Sequence, residues 1–151
     1  MENFQHTVKN LSTLLIAYQF DEAEVYLKSH VPGHEIIKVL HWMAEEETGL
    51  LTYTFSSYLA STHGTAFWHQ ASAVLLMESL SNLPSGHLAG YYHLNKAIAL
   101  APADWKLKEY VLNFYKEGLI DTPDAQSLAH DVLANDPSNS LADEVLKATL
   151  V

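Results

Sequence analysis

The feature that most constrains this chain is a phrase repeated in altered form, a helix-length run of apolar and small residues that stops at a proline or glycine. Phe20-Asp21-Glu22-Ala23 through Tyr26-Leu27 runs into Val31-Pro32-Gly33, Leu94 through Leu100 into Ala101-Pro102, and Ala125 through Ala134 into Asp136-Pro137. Proline lacks the amide hydrogen a helix interior needs, so each stop marks a helix boundary. Pro102 and Pro137 stand 35 residues apart, close to the roughly 34-residue period of helix-turn-helix repeats. A unit of that size cannot bury its apolar face alone. The phrase therefore predicts helical hairpins stacked in series.

The apolar spacing is helical almost throughout, with residues three and four apart sharing a face. Leu11, Leu14, Leu15 and Tyr18 form one stripe, and Ile36, Ile37, Leu40 and Met43 or Ala44 form another. Leu50-Leu51-Thr52-Tyr53-Thr54-Phe55 passes for a strand by β-propensity. Leu51, Phe55, Tyr58 and Leu59 nevertheless keep helical spacing, and a lone strand would leave its backbone groups without partners. Breaks at Pro32-Gly33, Thr48-Gly49, His63-Gly64-Thr65, Ser81 to Gly86, Pro102, Gly118 and Pro137 cut the chain into about nine helices. Their expected ranges are 5–18, 21–31, 34–47, 50–62, 65–80, 87–100, 103–117, 122–135 and 139–149. Asp121 or Thr122 caps the helix entered through Pro123, and Ser138 or Ser140 caps the last. Connections this short force antiparallel neighbours. The expectation is an all-α fold of stacked antiparallel hairpins, one domain over 1–151.

Phe20-Asp21-Glu22-Ala23-x-x-Tyr26-Leu27 is similar to the opening of the second helix of tetratricopeptide repeats. Tyr91 through Pro102 resembles the end of another such helix, with Gly90, Leu94, Ala97 and Pro102 at the family's small, large, small and proline positions. The first-helix Trp, Leu-Gly and Tyr pattern is missing, since Trp42, Trp68 and Trp105 are followed by other residues. The resemblance implies a right-handed tetratricopeptide-like array that binds other proteins, but it transfers no peptide-clamp residues.

With 48% hydrophobic and 17% charged residues the chain is on the ordered side of the boundary with disorder. Its longest apolar runs fall far short of the ~20 residues a membrane crossing takes. The start, Met1 to His6, has no cationic stretch leading to a small-residue cleavage site, so a cytoplasmic protein is expected. Lys supplies all eight basic residues against 18 acidic ones, a net charge of −10. Without Arg and with that balance, nucleic acid is not expected as a partner, because phosphate backbones are bound by cationic side chains. A basic protein or peptide suits the field, which equally keeps the chain soluble. No Cys is present, which removes disulfides and thiolate chemistry.

Nine histidines are many for this length. His34, His41 and Glu45 fall on one helix face, with His41 and Glu45 one turn apart, and a second helix would have to complete a metal site through His6, His69 or His93. The spacing lacks the second histidine of a His-Glu-x-x-His motif, because Lys38 stands there. Boundary histidines satisfied by water or carbonyls are the plainer reading, with no metal or cofactor. Glu45-Glu46-Glu47 opposes the negative end of its helix dipole. Neither a nucleophile elbow nor a glycine-rich phosphate loop is present, so no catalytic residues are assigned and an enzyme is not expected.

Aromatic residues concentrate in the middle and later part of the chain. Adjacent pairs such as Phe67-Trp68, Tyr91-Tyr92 and Phe114-Tyr115 cannot share a helix face, because consecutive side chains lie about 100° apart. One member of each is free to reach a surface, and Trp68, Tyr92 and Trp105 are the expected partner-binding residues. The functional expectation is a protein-interaction module, an adaptor, scaffold or neutralising partner. The alternative is a small helical metal-binding protein or enzyme centred on His34, His41 and Glu45.

Overall fold

The computed structural model describes residues 2–46 and 48–148, and side chains from Phe4 onward. Glu47, part of the acidic cluster, lies outside the described residues, as does the end of the last expected helix. Nine α-helices and no strand occur among them: α1 Glu2–Ile16, α2 Phe20–His30, α3 Ile36–Glu45, α4 Gly49–His63, α5 Ala66–Val74, α6 Gly86–Leu100, α7 Trp105–Leu112, α8 Thr122–Asn135 and α9 Ser140–Ala148. A 3-10 turn, Gly33–Glu35, leads into α3, and a π turn, Leu75–Ser79, continues α5. The ambiguous Leu50 to Phe55 segment is helical, with Thr52, Phe55, Ser56 and Leu59 buried on one side. The helix expected over 103–117 stops at Leu112, and Phe114 and Tyr115 follow in short turns closed on Val111 and Leu112.

Each chain break has a local cause. The carboxylate of Asp121 accepts the Asp124 amide at 2.9 Å, with Pro123 in the first turn of α8. Asp104 accepts the Lys106 amide at 3.0 Å, starting α7 two residues after Pro102. At α9 the cap differs from the expected serines. Asn139 Oδ1 accepts the Ala142 amide at 3.0 Å, while its own amide donates to Glu109 on α7. Gly64 ends α4 at φ 59°, the left-handed conformation that costs glycine nothing.

Two groups of buried side chains meet at α5. Leu11, Leu15, Leu27, Leu40, Phe55 and Leu59 belong to the first, together with Ala71 and Leu75. Leu94, Val111, Leu112, Ala129 and Val132 belong to the second, together with Ala73 and Met77. The α5 segment is thus packed on both sides. Small residues make that approach feasible: Ala71, Ser72 and Ala73 are fully buried, and Ser72 Oγ donates to Trp68 O at 3.0 Å while meeting Ser56 Oγ at 2.9 Å. Consecutive helices pack on one another from α3 to α9, α1 packs on α2, and α1 also touches α3 and α4.

The small positions singled out in the sequence sit at the tight contacts. Ala23 and Ala97 have no exposed surface, and a Cβ on Gly90 would stand 2.6 Å from Met77 Cγ. Real side chains do not approach so closely. Ala97→Leu or Gly90→Val should therefore overpack the α5–α6 seam and lower the unfolding free energy by about 1–3 kcal/mol in urea titrations. An unchanged midpoint for both variants would show that this seam is looser than its geometry.

Candidate functional site

Besides a hollow of about 520 Å³ at Leu14, Val25 and Tyr26, two places among the described residues join room for another molecule to a strained backbone or a buried polar chain. The first is a groove where the C-terminal ends of α1 and α3 meet the start of α4. Ile16 is 63% exposed, Tyr18 76%, Leu50 62% and Trp42 37%. Ile16 and Thr48 are shared by two adjoining hollows, one of about 450 Å³ walled by Tyr18, Leu50 and Leu51, the other of about 210 Å³ walled by Trp42 and Met43. Phe4 extends the apolar run, its ring edge-on to Trp42 at 5.6 Å. Among the described residues of this lining Glu46 is the charged one.

Tyr18 is held there by an unusual backbone. The apolar stripe placed it with Leu11 and Leu15 on the core face, but α1 stops at Ile16 and Tyr18 turns out to solvent. The amide of Tyr18 donates to Leu15 O at 2.9 Å and that of Gln19 to Leu14 O at 3.0 Å, the hydrogen-bond pair of a Schellman stop. Such a stop needs a left-handed residue, and Tyr18 supplies it at φ 55°. A side chain in that conformation costs about 1–2 kcal/mol, which glycine avoids. The expected ranges 5–18 and 21–31 place a break here, but neither Gly nor Pro occurs between Leu11 and Val31 to announce a left-handed stop at Tyr18.

The second place lies between the end of α4, α5 and α6. Tyr53 on α4, His93 on α6 and His69 on α5 form a chain: Tyr53 Oη is 3.4 Å from His93 Nε2, and His93 Nδ1 is 3.0 Å from His69 Nδ1. His93 is 6% exposed. Burial, then the neighbouring His69, push its pKa down to about 4, and burial with the Lys96 charge also lowers His69. The outer end of this chain opens on a cleft of about 460 Å³ lined by His69, Tyr92, Lys96 and Leu100. Lys96 Nζ lies 5.7 Å from the centre of the Tyr92 ring.

The expected site residues separate. Tyr92 is 57% exposed at the mouth of this cleft. Trp105 is half-buried against the second core, with Lys106 Nζ 4.2 Å from its ring centre. Trp68 is 5% exposed and edge-on to Phe67 in the first core, so it packs the interior and is no groove-edge side chain. It is Phe67 of that pair that keeps the greater exposure.

The histidine-carboxylate face also divides. His34 is in the 3-10 turn, exposed, 4.0 Å from Glu35. His41 does meet Glu45, Nδ1 to Oε1 at 3.6 Å, but the second helix contributes Glu78 of the π turn, 3.0 Å from His41 Nε2, in place of His6, His69 or His93. Tyr110 on α7 donates to the other Glu78 oxygen at 2.8 Å. Burial and then that carboxylate raise the Tyr110 pKa. Among the described residues no group of three or more His, Cys, Asp or Glu is arranged to hold a metal ion. The His41–Glu78–Tyr110 chain ties α3 to α7 across the π turn.

No family model matches the chain, and neither a curated protein nor a solved structure matches it. Among the described residues no helix is long and apolar enough to cross a membrane.

The buried histidine pair makes stability depend on pH. His93 binds its proton at about 4 when folded, against 6.5 in the unfolded chain. Between those values the unfolded state holds more protons, so unfolding becomes easier as the pH falls. Stability from this residue is complete above pH 6.5 and is lost on the way down to about 4, on the order of 1 kcal/mol per pH unit. His69, lowered too, adds in the same direction. Urea unfolding from pH 7 to pH 5, above the carboxylate range, should show this slope in the wild type and a shallower one in His93→Gln. Equal slopes would mean that His93 is not held neutral by the fold.

Proposed function

We propose that this chain is a tetratricopeptide-like interaction module of the cytoplasm that binds another protein through the groove at Ile16, Tyr18, Trp42 and Leu50. The observation that carries the reading is Tyr18. A helix stop that glycine closes without strain at Gly64 is closed here by a tyrosine at φ 55°, and its ring is spent on solvent. Strained residues of this kind persist where function uses them. Tyrosine offers a large apolar area with a polar tip at low entropic cost, and Trp42 beside it is the other residue type most favoured as a contact anchor. The small positions Ala23, Gly90 and Ala97, packed as the repeat alignment requires, support the tetratricopeptide-like part of the reading.

The partner is an apolar segment flanked by basic residues. The groove wall is apolar with Glu46 as its charge, Asp21 and Glu22 follow just after Tyr18, and the whole chain carries −10. A negative field speeds encounter with a positive partner and repels a second copy of the same chain. Nucleic acid is disfavoured on the same ground.

The test separates strain from binding. Tyr18→Gly should leave the unfolding free energy unchanged or raise it by up to about 1 kcal/mol, because the left-handed stop then suits its residue. Against the partner that co-purifies from native cells, the same variant should bind at least about tenfold more weakly, the loss of a single anchor worth 1.4 kcal/mol or more. Ile16→Asp and Leu50→Asp should do the same with melting curves preserved, and the association rate of the wild type should fall as salt rises. Titrations in which all three variants keep wild-type affinity would remove the groove from consideration. An association rate indifferent to salt would remove the basic partner.

A further inference from the structure

We propose that the cleft between the end of α4, α5 and α6 binds a small carboxylate with a short apolar body, held by the Lys96 ammonium and the outer N–H of His69. The buried hydrogen-bond chain has a direction set by its donors and acceptors. A phenol is a better donor than acceptor and an imidazole nitrogen is a good acceptor, so Tyr53 Oη donates to His93 Nε2 across 3.4 Å. A neutral His93 then carries its hydrogen on Nδ1, which donates to His69 Nδ1 at 3.0 Å. His69 in turn carries its hydrogen on Nε2, the nitrogen that takes no hydrogen bond from any described residue. The interior thereby sets a donor at the cleft.

Lys96 supplies the charge. Five lysines of this acidic chain pair with carboxylates: Lys28 with Glu24, Lys106 with Glu109, Lys108 with Asp131, Lys116 with Glu144 and Lys147 with Asp143. Lys96 has no such partner among the described residues, and it leans over the Tyr92 ring instead. Among the described residues no carboxylate lines the cleft. An ammonium and an imidazole N–H without an acceptor are matched by an anion. Beyond Ser61 and Gly64, the wall is completed by Ala60, Ala99 and Leu100, whose apolar surface suits a hydrocarbon body more than a bare inorganic anion.

The experiment is an NMR titration of the isotope-labelled protein with sodium hexanoate at pH 7. Saturable shifts are expected at His69, Tyr92, Lys96 and Leu100, with Lys96→Gln weakening the binding at least about tenfold. The His69 ring should titrate at higher pH in the hexanoate-saturated protein than in the free one, because a nearby anion favours imidazolium. Three comparisons decide the matter. Absence of saturable shifts, or equal binding by Lys96→Gln, would overturn the site. Hexanol binding as well as hexanoate would reduce it to apolar adsorption and overturn the charge argument. Inorganic phosphate binding as tightly as hexanoate would overturn the apolar body. None of these outcomes touches the groove at Tyr18, which uses other residues.

Discussion

The rest of the structure depends on α5 being able to face two cores at once. A helix with large side chains all round would hold its neighbours too far apart. Ala71, Ser72 and Ala73 bring α4 and α6 against it from both sides. The π turn then completes the division. The Leu80 amide reaches back five residues to Leu75 O at 2.8 Å, and within this wider turn Leu75 enters the first core while Met77 enters the second and packs on Gly90. The same turn presents Glu78 to His41 and Tyr110. A single local widening therefore sets an apolar division and a polar crosslink. This suits the general finding that π turns persist where a fold needs a side chain re-aimed.

Among the described residues the buried serines and His93 have polar partners. Ser72 donates to Trp68 O, which leaves its oxygen to accept from Ser56, whose single hydrogen is within reach of either Ser72 Oγ or Tyr53 O, and His93 has a partner at each ring nitrogen. Buried polar groups left unpaired cost far more than pairing gains, so these chains fix the helix positions more than they add stability. His93 is the expensive member, because its neutrality is imposed by burial and is surrendered in acid. Its return is orientation: a fixed hydrogen on His69 at the edge of a cleft.

The helical architecture was legible because its signals are local. Pro and Gly stops, apolar spacing and an Asp-Thr-Pro entry at Asp121 each report on a few neighbouring residues, and the helices appear where they say. What depended on neighbours in space was not legible. Phe67-Trp68 announces that one ring is buried and one less so, but only the packing against the first core decides that Trp68 is inside. Glu78 as the partner of His41 follows from the π turn, which leaves no residue-type signature. Asn139 outcompetes Ser138 and Ser140 as a cap because Glu109, distant in sequence, holds its amide. Tyr18 is the clearest case. Its stop uses a residue that helix-end statistics would exclude, so the strain that marks it is visible only in the backbone.

The groove and the cleft share α4, which places them at its two ends. Leu50 and Leu51 of its first turn line the groove, and Ala60 and Ser61 of its last line the cleft, about 16 Å apart along the helix axis. Between them Phe55, Ser56 and Leu59 are wholly buried, which makes α4 a rod fixed to the first core rather than a hinge. Both hollows have local costs beside them that the buried middle must offset: a left-handed tyrosine and exposed leucine at the groove, and behind the cleft a neutral buried His93 joined to it through His69. Each cost has a cheap remedy in a single substitution, and a chain carries such costs as long as its total stability stays above the threshold its function needs. A second left-handed residue, Ser85 at φ 63°, stands outside both hollows at the entry to α6, so what sets Tyr18 apart is the large exposed ring that it carries into a groove.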